Sequence, residues 1–408
     1  MKTKLIAIAL FGLTAAAVAY YPAIEGRNPG IGPDPAAQIP AGHIPATDPA
    51  SNQRPVVDVV FALDTTGSMG GLIQAAKEKI WSIASTMAAA QPTPQIRMGL
   101  VAYRDRGDDY VTRVVDLTAD LDSVYAALMQ LQAGGGGDGP EAVNQALDEA
   151  VNRVSWSQEA RAYKVVFLVG DAPPHMDYQD DVKYPVTLAA AKVRGIRVNT
   201  VQCGDLRDTA REWQQIAQLG DGRSFQVDQA GGAVAIATPF DAGLAKLAEE
   251  LDAARLYFGS ETERKAQADK GEAAERAKAA ASPAALARRA TFNASEAGKD
   301  NLLGKQELVD AVTSGRVDLN TVAPEALPTP MQAMSLEERQ ALVTQTAVKR
   351  DELKRQIQGL ADERARYLKE KVEAEGGAAA SLDHKLFEAV REQAGAAGLS
   401  YGAKAPSY

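Results

Sequence analysis

The sequence predicts an α/β fold: a doubly wound, mainly parallel sheet with helices on both faces, followed by an α-helical C-terminal region. Three observations carry this. Short apolar runs such as "VVDVVFAL" recur between residues 56 and 259. Segments with apolar residues three and four apart lie between most of them. Beyond residue 260 the strand-like runs stop, and Ala, Glu, Lys and Arg dominate. In sheets of this kind ligands bind beyond the carboxyl ends of the strands, so residues just after each apolar run are the candidate functional groups.

The chain opens with "MKTKLIAIALFGLTAAAVAYYPA". Lys2 and Lys4 precede an uncharged run, and Ala17-Val18-Ala19 places small residues at a cleavage spacing, so residues 1–19 read as an export signal. Cleavage removes two Lys and no acid, taking the formal charge from −9 to −11. The alternative is an uncleaved membrane anchor, because Tyr20 to Ile24 prolong the run. Residues 20–54 are Pro-, Gly- and Ala-rich without apolar period and read as a linker, in which His43 is solvated.

From 55 to 258 the strand candidates are "VVDVVFAL", "RMGLVAYR", "TRVVDLT", "YKVVFLVG", "IRVNTVQCG" and "RSFQVD". The short step from the second to the third reads as a hairpin and places one antiparallel strand in the sheet. "GLIQAAKEKIWSIASTMAAA" and "PEAVNQALDEAVNRV" carry helical spacing. Residues 259–334 read as a helical and irregular connection, interrupted by "APEALPTP" at 323–330. A C-terminal helical region over 335–400 starts at a Ser335/Glu338 capping box. Leu353, Ile357, Leu360 and Tyr367 form a coiled-coil-like seam that Arg350 and Arg364 interrupt, so a helix packed on its neighbour or an antiparallel hairpin is expected.

Composition narrows the function. The 408 residues are 46% hydrophobic and 24% charged, which suits a chain able to bury a core. A net charge of −9 without a basic cluster argues against nucleic-acid binding. The single cysteine, Cys203, rules out an intrachain disulfide and reads as a small buried hydrophobe.

Three loops at predicted strand ends carry oxygen donors. They are "DTTGSM" with Asp64, Thr66 and Ser68, "GGGGDGPEAVNQAL" with Asp138 and Glu141, and "FLVGDAPPH" with Asp171. A hard-oxygen set suits Mg²⁺, Mn²⁺ or Ca²⁺ rather than zinc or copper. The bland alternatives are that Ser68 and Asp138 cap helices. His175 is either a base beside a metal-bound water or loop packing. "NASEAGKDNLLGKQE" at 293–307 lacks the twelfth-position Glu of a calcium loop and is set aside.

The Asp-x-Thr-x-Ser run after the first strand, with a later Asp after the fourth, resembles the von Willebrand factor type A domain over residues 55–258. More closely, "AYRDRGDD", "GGGGDGPEAV" and "VGDAPPH" resemble A domains of exported bacterial proteins and of some atypical alpha-kinases, without kinase motifs beside them here, and the family resemblance implies a metal-ion-dependent adhesion site. On that resemblance Asp64, Thr66, Ser68 and Asp171 hold Mg²⁺ or Mn²⁺. The "DGPE" loop is similar to that of integrin beta inserted domains, which implies Glu141 as a further ligand. It also implies an adjacent Ca²⁺ held by Asp105, Asp138 and Glu141, although Gly136 stands where an Asn is expected.

The resulting expectation is an exported (periplasmic or extracellular) metal-dependent binding module, not an enzyme, whose ion takes an acidic residue of a partner protein. The alternatives are a scaffolding subunit of a cell-envelope assembly and, third, a metal-assisted hydrolase.

Overall fold

Six strands form the sheet, and all six coincide with the runs read from the sequence: β1 (Val56–Asp64), β2 (Gln95–Tyr103), β3 (Thr112–Thr118), β4 (Tyr163–Gly170), β5 (Ile196–Cys203) and β6 (Ser224–Val227). They come from a computed structural model that describes residues 54–137, 139–231, 236–304, 306–374 and 382–402. The export signal over 1–19, nearly all of the 20–54 linker, and Asp138 lie outside the described residues.

The strand order is β3-β2-β1-β4-β5-β6, with only the β2–β3 pair antiparallel. The chain winds outward from β1 in one direction and from β4 in the other, so the switch point lies between β1 and β4. Asp64 ends β1, and Asp171 follows the last residue of β4. Both acids therefore stand at the crevice that this topology creates.

Strand alternation divides the core. Val57, Val59 and Leu63 face one layer, and Val60 and Ala62 face the other. The second layer is built by α3 (Val143–Asp148, continued as a wider turn over Glu149–Arg153), α4 (Tyr184–Val193) and α5 (Arg207–Leu219). The first contains α1 (Gly70–Ala88) and α2 (Leu121–Gln130).

C-terminal elements pack into that first layer, so its apolar cluster extends past the expected boundary at 258. After α6 (Asp241–Ala253) and α7 (Glu261–Ala279), α8 (Pro283–Ala294) places Phe292 5.9 Å from the Trp81 ring of α1. Short helices α9 (Lys299–Leu303) and α10 (Leu308–Thr313) precede α11 (Leu336–Ala374). From α12 (Leu382–Gln393), Leu382, Leu386, Ala389 and Val390 enter the same apolar cluster as α1. Gln393 exchanges hydrogen bonds with Asn199 of β5 and accepts one from Tyr163 of β4. The described residues form one compact unit.

The capping box at Ser335/Glu338 is present, and α11 runs for 39 residues. Its two arginines do not interrupt a seam by accident. Arg350 donates to Glu307 at 2.9 Å, and Arg364 donates to Asp241 at 2.7 Å, all four side chains being buried. α11 is therefore a helix packed on its neighbours, with Leu353 and Ile357 against α6, α8 and α9. Among the described residues no helix is long and apolar enough to cross a membrane.

Candidate metal centre

The chain leaves β1 through two threonines with opposite duties. Thr65 turns inward: its hydroxyl donates to the Tyr103 carbonyl at 2.8 Å and bonds Tyr110 Oη at 2.6 Å. Thr66 instead serves Asp64, its amide and hydroxyl both donating to Oδ1 at 2.8 and 2.7 Å. Asp64 is fully buried, and its other oxygen, Oδ2, has no hydrogen-bond partner. Burial pushes its carboxyl up to about 7, aided by the Asp171 charge and opposed by Thr66. Ser68 is exposed, and no side-chain cap bond forms at the start of the short turn or of α1. The cap reading of Ser68 falls.

Glu141 is fixed by its backbone. Its N–H donates to the Pro173 carbonyl at 2.9 Å, and its carbonyl accepts from the His175 amide at 3.0 Å. This stitches the middle loop to the loop after β4. Its Oε2 is buried without a partner. Burial raises its carboxyl to about 9, followed by the charges of Asp64, Asp105, Asp108 and Asp171. Gly136, at φ +76°, lies between two site groups: a Cβ there would come within 3.1 Å of both Glu141 Oε1 and Thr66 Cβ. A glycine is needed for the loop to let Glu141 and Thr66 face each other.

Asp171 is held from below. Thr209 donates to its carbonyl at 2.9 Å, and Trp213 donates to the Ala172 carbonyl at 3.2 Å. Its Oδ2 accepts from Gln229 at 2.7 Å. Beneath the site, a Cβ on Gly170 would lie 2.6 Å from Tyr103 Oη and 3.0 Å from Asp64 Oδ2. Tyr103 Oη is likewise buried without a hydrogen-bond partner, and burial together with the nearby carboxylates raises its pKa.

The group expected around a second ion is arranged differently. Asp105 accepts from Tyr178 Oη at 2.9 Å and lies 3.4 Å from His175 Nε2. Tyr178 stacks on His175 at 4.1 Å, and Arg106 covers its other side at 4.1 Å. His175 also bonds Asp177 through Nδ1 at 2.8 Å. Asp105 and His175 are thus members of a packed loop–loop contact. The residue that organises the neighbouring backbone is Asp108, which accepts from the Gly136 and Asp105 amides.

Asp64, Thr66, Glu141 and Asp171 come together at the switch point, with Ser68 on the rim. Among the described residues no three His, Cys, Asp or Glu side chains form a ready-made metal cluster. The residues fit a hard cation on two grounds: every donor is oxygen, and two buried carboxylate oxygens lack partners.

Fold and site define an α/β domain with a carboxylate-rich crevice at its switch point. Residues 58–238 match the sequence profile of the von Willebrand factor A domain, and this part of the chain is such a domain. Curated relatives include an ariadne-like RING finger protein of Acanthamoeba polyphaga mimivirus, 28% identical over 124 residues, covering 30% of this chain and 12% of that protein. Another is von Willebrand factor A domain-containing protein 7 of Rattus norvegicus, 32% identical over 142 residues, covering 29% of this chain and 15% of that protein. The matched region is thus a small part of either relative. Among solved structures, the SpRpn10 VWA domain aligns at 13% identity with a TM-score of 0.33, covering 43% of this chain and 89% of that one. Proximal thread matrix protein 1 of the mussel byssus aligns at 15% identity with a TM-score of 0.31, covering 43% and 42%. Domains of this family are commonly protein-interaction modules and generally not catalytic.

Proposed function

We propose that this chain is an exported protein-binding module that holds Mg²⁺ or Mn²⁺ at Asp64, Thr66, Ser68, Glu141 and Asp171 and recognises an acidic residue of a partner. One observation carries the reading. Asp64 Oδ2 and Glu141 Oε2 are buried without hydrogen-bond partners on two loops of the same crevice. Leaving a buried carboxylate oxygen unpaired is costly, and a divalent cation is the ligand that would satisfy both at once. When bound, such an ion supplies an open position that takes a carboxylate. The chain's own part is to fix the donors: Thr66 orients Asp64, and the Pro173–Glu141–His175 backbone contacts set Glu141. An adjacent Ca²⁺ held by Asp105, Asp138 and Glu141 is a second part of the proposal, with Asp105 already oriented by the hydrogen bond it accepts from Tyr178.

Asp64→Ala and Asp171→Ala are each expected to abolish Mg²⁺ and Mn²⁺ uptake in calorimetric titration while the circular dichroism spectrum is kept. Unchanged affinity in both variants would refute the assignment. Pull-down from the native envelope with and without chelator then separates adhesion from scaffolding: partner capture that chelator leaves intact means that the ion only stiffens the loops.

Export is carried by Lys2, Lys4 and the Ala17-Val18-Ala19 spacing. N-terminal sequencing of native material is expected to begin at or near Tyr20. Met1 intact in a cytoplasmic fraction would overturn export.

A further inference from the structure

Gln229 lies just beyond β6, far in sequence from the three oxygen-bearing loops, yet it bridges two of them. Its Nε2 donates to Asp171 Oδ2 at 2.7 Å and reaches the Ser68 carbonyl at 3.4 Å. One amide thus spans from the loop after β4 to the loop after β1.

The placement is built into the backbone at several points. The Gly231 N–H donates to the Asp228 carbonyl at 2.7 Å, closing a turn that carries Gln229 and Ala230. That turn presses on the first turn of α1. A Cβ on Gly71 would lie 3.0 Å from Ala230 Cβ, and one on Gly231 would lie 2.7 Å from Leu72 Cδ1. Gly204, at φ +75°, leaves the room for the amide itself, since a Cβ there would come within 2.5 Å of Gln229 Oε1. The amide oxygen thus sits against Gly204, and the NH₂ is directed at Asp171.

We propose that Gln229 is a positioning residue of the metal centre, its amide fixing the Asp171 carboxylate and tying that loop to Ser68. The inference rests on the metal-holding reading above. Hydrogen bonds to ligating carboxylates orient them, and losing such an outer partner costs about 10- to 100-fold in metal affinity. Gln229 is exposed, so its removal leaves the core untouched.

The test is calorimetric titration of Mn²⁺ into the full chain as wild type, Gln229→Ala and Gln229→Met, with thermal unfolding in chelator beside it. Met keeps the length of the side chain and removes its hydrogen bonds. Both variants are expected to bind Mn²⁺ about tenfold or more weakly, with the unfolding midpoint in chelator unchanged. Wild-type affinity in both variants overturns the role of Gln229 and leaves the metal site standing. A loss in Gln229→Ala but not in Gln229→Met also overturns it, because bulk and not hydrogen bonding then matters. A wild-type chain that takes up no Mn²⁺ overturns the metal reading, and this inference with it.

Discussion

Truncation after Gly259 is expected to unfold the von Willebrand factor A domain, not to release it. α8 and α12 cover the apolar side of α1, and their removal exposes Trp81, Met87 and the sheet residues beneath. Deleting one large buried side chain from a core costs about 2–5 kcal/mol, and Phe292, Leu382, Leu386 and Val390 would all go. Domains of this size are stable by only about 5–15 kcal/mol. The polar consequence points the same way. Arg289 is buried and forked, with Nε donating to Asp122 Oδ1 at 2.6 Å and Nη1 to Asp252 Oδ2 at 2.9 Å. The Asp252 carboxyl is held down at about 2 against the cost of its burial by Arg289, Arg255 and Lys278. Breaking a buried pair by removing one partner costs about 3–5 kcal/mol, and truncation takes Arg289 from Asp122 and leaves Asp252 with Arg255 alone of its three cations. Circular dichroism and urea unfolding of residues 54–259 against 54–402 decide the matter. A truncated chain with a cooperative transition at the full-length midpoint would show that the tail is dispensable.

What was legible in the sequence follows from how local each signal is. β1, β2, β4 and β5, buried on both faces, announce themselves as near-continuous apolar runs, and the half-exposed edge strands β3 and β6 were readable as short β-branched or aromatic runs, as was the hairpin carrying Asp105. Asp64, Thr66 and Asp171 were readable because strand ends in such a sheet must converge. α2 was not singled out, although Leu121, Val124, Tyr125 and Leu128 keep helical spacing and Asp120 caps it by accepting from the Ser123 amide. The partners of Arg350 and Arg364 lie 43 and 123 residues away, which no periodicity reveals. For the same reason a core completed by α8 and α12 looked complete at Gly259. The sequence places Asp105 near the site, but only the packing of Tyr178 on His175 shows how its carboxylate is occupied. Gln229 carries no local signal at all: an exposed glutamine after an edge strand is ordinary until its distance to Asp171 is known.

Raising the pH is expected to destabilise the cation-free protein, and Mg²⁺ or Mn²⁺ is expected to return part of that loss. Asp64 and Glu141 are carboxyls with pKa values raised on folding, from 3.8 to about 7 and from 4.5 to about 9. A group that holds its proton more tightly when folded favours the folded chain at acid pH. That advantage shrinks once the unfolded chain releases the proton and the folded chain does not. Stability therefore starts to fall above about pH 4, the Asp64 contribution is spent by about pH 7, and the Glu141 contribution continues to about pH 9. For Asp64 the interval corresponds to about 4 kcal/mol, using about 1.4 kcal/mol per pKa unit. A cation at 100 times its dissociation constant returns about 2.7 kcal/mol by mass action, and it acts on the ionised carboxylates that high pH creates. Urea unfolding at pH 5, 7 and 9, in chelator and in Mg²⁺, measures both effects. Asp64→Asn should make the chelator profile about half as steep between pH 5 and 7 and leave the Glu141 slope, which runs on to about pH 9. A wild-type profile in chelator that is level or rises from pH 5 to 9 would mean that the two carboxyls are solvated and that the crevice holds no charge in need of a cation.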